Sequence, residues 1–392
     1  MAKHERLTSL DAFRGFTIAG MMLVNNPGSW GAIYPQLEHA SWNGWTFTDW
    51  IFPFFLWIVG VAMTFSFAYR KERGDSDGTL LLQVFRRAVV IFLLGTFLTL
   101  FPFGLFGRNG SYWEYLNHTV ASFRIPGVLQ RIAICYFFGS LIYLKTSFRG
   151  QIRVIAILLA AYWLAVKWIP VPGYGAGGLN PMGNLVWYID SVLLHGHTWA
   201  GAPAAGGDPE GILSTIPAIA TTLFGALTGQ YLRNSNHSKE EKTIWMFIIG
   251  AALLFFGAWF DMYLPINKNM WTSSYSIFMA GWAMTIFSIF YYLIDVKGYR
   301  AWATPLVIYG MNAIFVFVLS GVLGRLFNII KFNVLLSDGT FADVGLKTLI
   351  TQNLINPFFS PLMASLAYAI LWDLMLFFFA WGMWKKKWFL KV

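Results

Sequence analysis

The segment "PQLEHASWNG", residues 35–44, places one histidine, His39, in a short polar link between two very apolar runs. Its neighbours are Glu38, Ser41, Trp42 and Asn43. An imidazole titrates near neutrality, so it can take a proton from an attacking group. The plainer reading is a loop histidine hydrogen-bonded to backbone. No second histidine stands at metal-ligand spacing, so no zinc site is expected. Upstream, "LVNNPGSW" closes the first apolar run with two amides, Asn25 and Asn26. One of them could orient the imidazole or donate to an oxyanion. Equally, the pair could be a helix stop before Pro27-Gly28.

Five ionisable residues fall inside apolar runs: Asp11, Arg14, Asp49, Arg131 and Asp373. A charge at membrane depth is expensive and normally faces a partner or a polar cavity. Asp11 and Arg14 are three residues apart and can pair on one helix face. The functional alternative is a hydrated cavity entered from the cytoplasm, with Arg14 and Arg131 attracting an anionic ligand. Three further motifs fall at the level of His39. "RIPGVLQR" opens one helix. "GDPEGILSTIPAI" opens another, with Asp208 as its cap, Pro209 in its first turn and Glu210 at its positive end. "PINKNMWTSSY" opens a third with Asn267, Lys268 and Asn269. There is no phosphate-binding glycine loop, nucleophile elbow or dinucleotide fingerprint.

The elements that must hold these groups are membrane helices. The chain is 57% hydrophobic and only 12% charged, against about 25% charged in a soluble domain. Ten runs reach the roughly 20 residues that span a bilayer: 8–26, 47–69, 86–104, 125–145, 152–170, 211–232, 243–260, 272–294, 302–322 and 361–384. Only helices satisfy their own backbone there. The expected fold is all-α, a polytopic bundle of about 10 spans forming one domain over residues 1–392. With the N-terminus inside, 19 Lys and Arg fall on inner segments and 7 on outer ones, which puts both termini in the cytoplasm. The net charge of +10 belongs to those clusters and does not point to nucleic acid. The N-terminus lacks a signal-peptide layout. The single cysteine, Cys135, excludes an intramolecular disulfide. The outer loop 323–360 holds "LGRLFNIIKFNVLL", read as an amphipathic interfacial helix.

"LDAFRG" resembles the start of several transmembrane acyltransferase families. "HASWNGWTFTDWIFPFFLWIVG", "RIPGVLQRIA", "DPEGILSTI", "PINKNMWTSSY" and "YGMNAIFVF" follow in that order. Together they resemble the heparan-α-glucosaminide N-acetyltransferase family, in a bacterial form that begins at the shared core. The resemblance implies acetyl-CoA as cytoplasmic co-substrate and no metal. It implies transfer to the amine of a glucosamine-type sugar on the outer side, with His39 as the active histidine. Asn25 is the implicated amide, and a longer spacing to His39 makes Asn26 a substitute. Arg14, Arg131 and Asp49 are then expected at the donor. Trp42, Asn43, Asp208, Glu210, Asn267, Lys268 and Asn269 are expected at the acceptor. The partners are an amino-sugar or glycosaminoglycan and the bilayer of a bacterial inner membrane, with a homodimer allowed. Sequence leaves direct transfer and an acetyl-histidine intermediate both open. Rival readings are an O-acyltransferase for a cell-surface glycan and a multi-pass transporter; no internal repeat supports the transporter.

Overall fold

The computed structural model describes residues 7–103, 112–335 and 341–390. Four of the basic residues counted for orientation, Lys3, Arg6, Arg108 and Lys391, lie outside them. The chain folds as a helical bundle in the order α1 (Thr8–Asn25), α2 (Phe47–Glu72), α3 (Asp77–Leu100), α4 (Tyr112–Ser122), α5 (Val128–Lys145), α6 (Phe148–Trp168) and α7 (Leu185–Leu193). There follow α8 (Thr215–Arg233), α9 (Lys239–Phe260), α10 (Ser273–Tyr291), α11 (Thr304–Met311) and α12 (Ala313–Ile329). An antiparallel hairpin comes next, β1 (Lys331–Leu335) with β2 (Phe341–Gly345), then α13 (Leu346–Ile350) and α14 (Pro361–Lys385).

Seven of these helices are long and apolar enough to cross a membrane, and α11 with α12 makes an eighth if the bent pair is one span. The chain is therefore a multi-pass, helical integral membrane protein. Helices α1 and α8 supply the two remaining runs expected from sequence. They lie inside the bundle, rich in buried Gly, Ala, Ser and Thr. Small residues let membrane helices approach closely. A Cβ on Gly60 of α2 would lie 1.9 Å from the Thr222 carbonyl oxygen of α8, and one on Gly225 would lie 2.0 Å from that of Trp57. This contact fixes α2, whose first turn carries the site.

Three details differ from expectation. Helix α8 starts at Thr215, not at residue 211, because "DPEGILS" is held as a loop by two arginines. The run 302–322 is broken by 76° between α11 and α12. Asn312 sits at the break, where its amide donates to the Trp388 carbonyl (3.2 Å) and accepts from the Leu390 amide (3.1 Å). The C-terminal tail thus satisfies groups that a straight helix would bond internally. Finally, "LGRLFNIIKFNVLL" is not one interfacial helix. Its first half extends α12 and its second half becomes β1, where β-branched and aromatic residues favour a strand.

Candidate functional site

The loop before α2 is organised by one carboxylate. Thr46 caps α2, and Asp49 completes the reciprocal capping box: Asp49 Oδ2 accepts from the Thr46 amide at 2.9 Å and from the Ala40 amide at 3.1 Å. That leaves Oδ1 to face His39 Nδ1 at 2.7 Å. Asp49 is 1% exposed, and the His39 side chain is 46% exposed. An ionised carboxylate only accepts, so Nδ1 carries the hydrogen and Nε2 presents its lone pair outward. The backbone of Asp49 is held in turn, since the buried Tyr275 hydroxyl donates to its carbonyl at 2.6 Å.

Lys268 closes the other side of the ring. Its Nζ lies 2.9 Å from His39 Nε2, the nitrogen free to accept, and 3.3 Å from Nδ1, which is already committed to Asp49. The turn that carries Lys268 is stitched to the His39 loop. Asn267 Nδ2 donates to the Trp42 carbonyl (2.9 Å) and to Asn43 Oδ1 (3.1 Å), and the Gly44 amide donates to the Ile266 carbonyl (2.8 Å). The Trp42 indole is anchored on the Leu179 carbonyl at 2.8 Å. Thus the segments "HASWNG" and "PINKN", more than 200 residues apart in sequence, form one rigid surface. Burial pulls the Lys268 pKa below its ordinary value, against the opposing pull of Glu210 and Asp49.

Behind this surface lies a second charged cluster. Arg124 grips Asp208 in a fork, Nε to Oδ2 at 2.8 Å and Nη2 to Oδ1 at 2.6 Å, and also bonds Glu210. Asp208 accepts from the Trp199 and Glu210 amides as well. It is therefore not the cap of α8 expected from sequence; its lone pairs are taken by Arg124 and the loop. Burial raises the Glu210 pKa, but Arg124, Lys268 and Arg131 outweigh it and hold the carboxyl below its ordinary value. Arg131, 1% exposed, donates to the Gly211 carbonyl at 2.9 Å and to Ser214, and stacks over Trp271 at 5.1 Å. Asp190 supports the same loop by accepting from the Ile212 amide at 2.8 Å. A crevice of about 20 Å³ between Trp42, Asp190, Asp208 and Asn269 has room for about one water.

The structure brings His39, Asp49, Lys268, Asn267, Trp42 and Asn43 together, with Glu210 and Asp208 next to them. Asn25 and Asn26 stand elsewhere, lining a separate cavity of about 390 Å³, and Asn26 donates to the Met22 carbonyl and to Ser320 Oγ. Arg14 pairs with Asp11 at 3.4 Å and reaches the Gly310 carbonyl. Two features escaped the sequence reading. Asp49 is the partner of the histidine, a role signalled by its capping-box spacing from Thr46. Arg124 had no local signal, because its carboxylates lie 84 and 86 residues away. Among the described residues no group of His, Cys, Asp and Glu could hold a metal ion.

Fold and site together define a multi-pass helical membrane protein that presents a carboxylate-held imidazole in an ordered interhelical link. Over 367 residues, 80% of its length, the chain is 29% identical to heparan-α-glucosaminide N-acetyltransferase of Homo sapiens, and over 369 residues it is 29% identical to that of Mus musculus. The likeness read from the ordered motifs thus extends over four-fifths of the chain, which is a relative of these acetyltransferases. The chain spans about half the length of these curated relatives, 52% and 53%. No family model matches it.

Proposed function

We propose that the chain is a transmembrane N-acetyltransferase that moves acetyl from cytoplasmic acetyl-CoA to the amine of a glucosamine-type sugar on the outer side of a bacterial inner membrane. The observation that carries this is the His39–Asp49 pair at 2.7 Å, in a chain similar over most of its length to proteins named as N-acetyltransferases of a glucosaminide. In this reading α1 and α8 complete ten spans, both termini are cytoplasmic, and residues 1–392 act as one transferase domain.

Asp49 fixes the Nδ1 tautomer and stabilises the imidazolium that forms. The sugar amine attacks the thioester carbonyl carbon while Nε2 takes the amine proton. The tetrahedral adduct collapses by breaking the carbon–sulfur bond, and the proton on Nε2 passes to the departing thiolate. Lys268, 2.9 Å from Nε2, yields that position to the amine and supplies positive charge to the oxyanion. Asn25 acts from its separate cavity. Trp42, Asn43 and Asn267 position the loop rather than touch sugar. Arg131 is 1% exposed and bonded to the Gly211 carbonyl, whereas the Arg14 side chain is 25% exposed, so of the two Arg14 is assigned to the donor's phosphates.

The test uses the purified full chain in sealed vesicles. Labelled acetyl-CoA is supplied only to the face bearing the Lys- and Arg-rich loops, and glucosamine only to the His39 face. Label should appear on glucosamine, and His39→Ala should lower the rate by ~10²–10⁴. Rates within about threefold of the parent chain, or transfer only when both substrates share a face, would sink the reading.

A further inference from the structure

The cavity beside Asn25 holds charges that the rest of the molecule does not use. It opens between the ends of α1, α3, α5, α12 and α14, and its 390 Å³ suits a ring-sized ligand. Among the described residues three cations line it, Arg124, Arg325 and Lys347, and no carboxylate does. Arg124 is already neutralised by Asp208 and Glu210. Arg325 donates to the Gly321 carbonyl of its own helix, at 2.9 Å, and Lys347 lies over the Tyr368 ring at 5.6 Å. Neither has a carboxylate partner among the described residues. Burial without such a partner pulls the Lys347 pKa below its ordinary value.

A second, independent feature points the same way. Gln130 is 3% exposed, lines the cavity, and its Nε2 donor has no partner among the described residues. Its amide is wedged between Gly95 and Gly127, where a Cβ would lie 2.3 Å and 2.6 Å from Gln130 Oε1. A buried donor without a partner is costly, so a group that accepts from it gains on binding. Gln130 also stands in the first turn of α5, whose free amides and positive helix end turn toward the same space. Trp30 at the rim and Trp372 on the wall offer aromatic surface to a ring.

We propose that this cavity binds the anionic group of a ring-bearing substrate, a phosphate, sulfate or carboxylate held by Arg325, Lys347 and Gln130 Nε2. The identity of that substrate rests on the transferase reading: with the orientation proposed above it is an acidic substituent on the acceptor sugar, whereas the phosphorylated nucleotide of coenzyme A bound here would reverse that orientation. The anion chemistry is the same for both.

The experiment is titration calorimetry on the purified full chain with coenzyme A, glucosamine 6-sulfate and neutral glucosamine. Arg325→Gln and Lys347→Gln should each weaken one anionic probe about tenfold, the scale of one charged hydrogen bond. Gln130→Glu, nearly isosteric, should weaken the same probe at least as much. Arg325→Lys should restore most of the affinity, and matched melting temperatures exclude unfolding. Loss confined to coenzyme A assigns the cavity to the donor, loss confined to glucosamine 6-sulfate assigns it to the acceptor, and loss of both shows a shared cradle. Failure of the parent chain to bind either anion, or affinities within twofold in all three charge-altering variants, overturns the proposal. Charge-dependent binding without any acetyl transfer in vesicles would leave the cavity standing and remove the transferase reading alone.

Discussion

The two polar regions of the bundle treat their cations in opposite ways. Around His39 the facing charges are matched: Lys268 is drawn by Asp49 and Glu210, and Arg124 by Asp208 and Glu210. In the cavity beside Asn25, Arg325 and Lys347 have no carboxylate among the described residues. A matched set is held still by its own attraction, and the partners offset part of the cost of burying each charge. An unmatched set gains most from a ligand of opposite charge. The first region is therefore built to position an imidazole and the second to receive an anion. Variants that unmatch the first region break this contrast.

The largest effect is expected at Asp49. Asn can still cap α2, so Asp49→Asn should preserve the helix start. It removes the carboxylate that holds Nδ1–H and stabilises the imidazolium, so kcat/KM should fall by ~10²–10³. A fall below about threefold, with Tm unchanged, would show that the His39–Asp49 contact is structural only.

Arg124→Gln comes next, and it reads on stability. Asp208 and Glu210 would remain buried without their main counter-ion. Breaking one side of a buried pair costs ~3–5 kcal/mol. Partial exposure of Arg124 and the nearby Lys268 should bring the loss toward the low end. A lower Tm in detergent, partly recovered by the double change with Glu210→Gln, is the expected outcome. No recovery would mean that Arg124 acts through its packing on Trp199 instead.

Much of this was legible from the chain alone, for identifiable reasons. Membrane helices follow from run length, since a run of about 20 apolar residues has one cheap solution in lipid. The place of His39, in a polar link just before a helix, was legible from the apolar runs on either side; the carboxylate it faces was not. The break at Asn312 was not, because it is stabilised by Trp388 and Leu390, more than 70 residues away. Asp49 was read as a charge at membrane depth, although its spacing from Thr46 already placed it at a helix start. Asp208 was read as a cap because local sequence shows an Asp before Pro and cannot show the arginine from another loop that takes its oxygens.

The smallest effect, and the one that tests how far matching extends, is expected at Asp190. This carboxyl is fully buried and supports the loop shared by both arginines, yet its Oδ2 has no hydrogen-bond partner among the described residues. Burial pushes its pKa up to about 7, although the Ile212 amide and Arg131 pull the other way. Because the folded value lies above the ordinary 3.8, the folded chain binds this proton more tightly than the unfolded chain. Its contribution to stability is therefore full below about pH 4 and is lost as pH rises through about 7. Asp190→Asn keeps an acceptor for the Ile212 amide and removes the ionisation. The variant should melt like the parent near pH 4. Near pH 6, about two units above the ordinary carboxyl value, it should be more stable by about 1–3 kcal/mol, since each pKa unit is worth about 1.4 kcal/mol. Parallel melting curves for parent and variant across that range would mean that Arg131, close enough to be felt electrostatically, already serves as the partner of Asp190, and that matching extends through the whole loop.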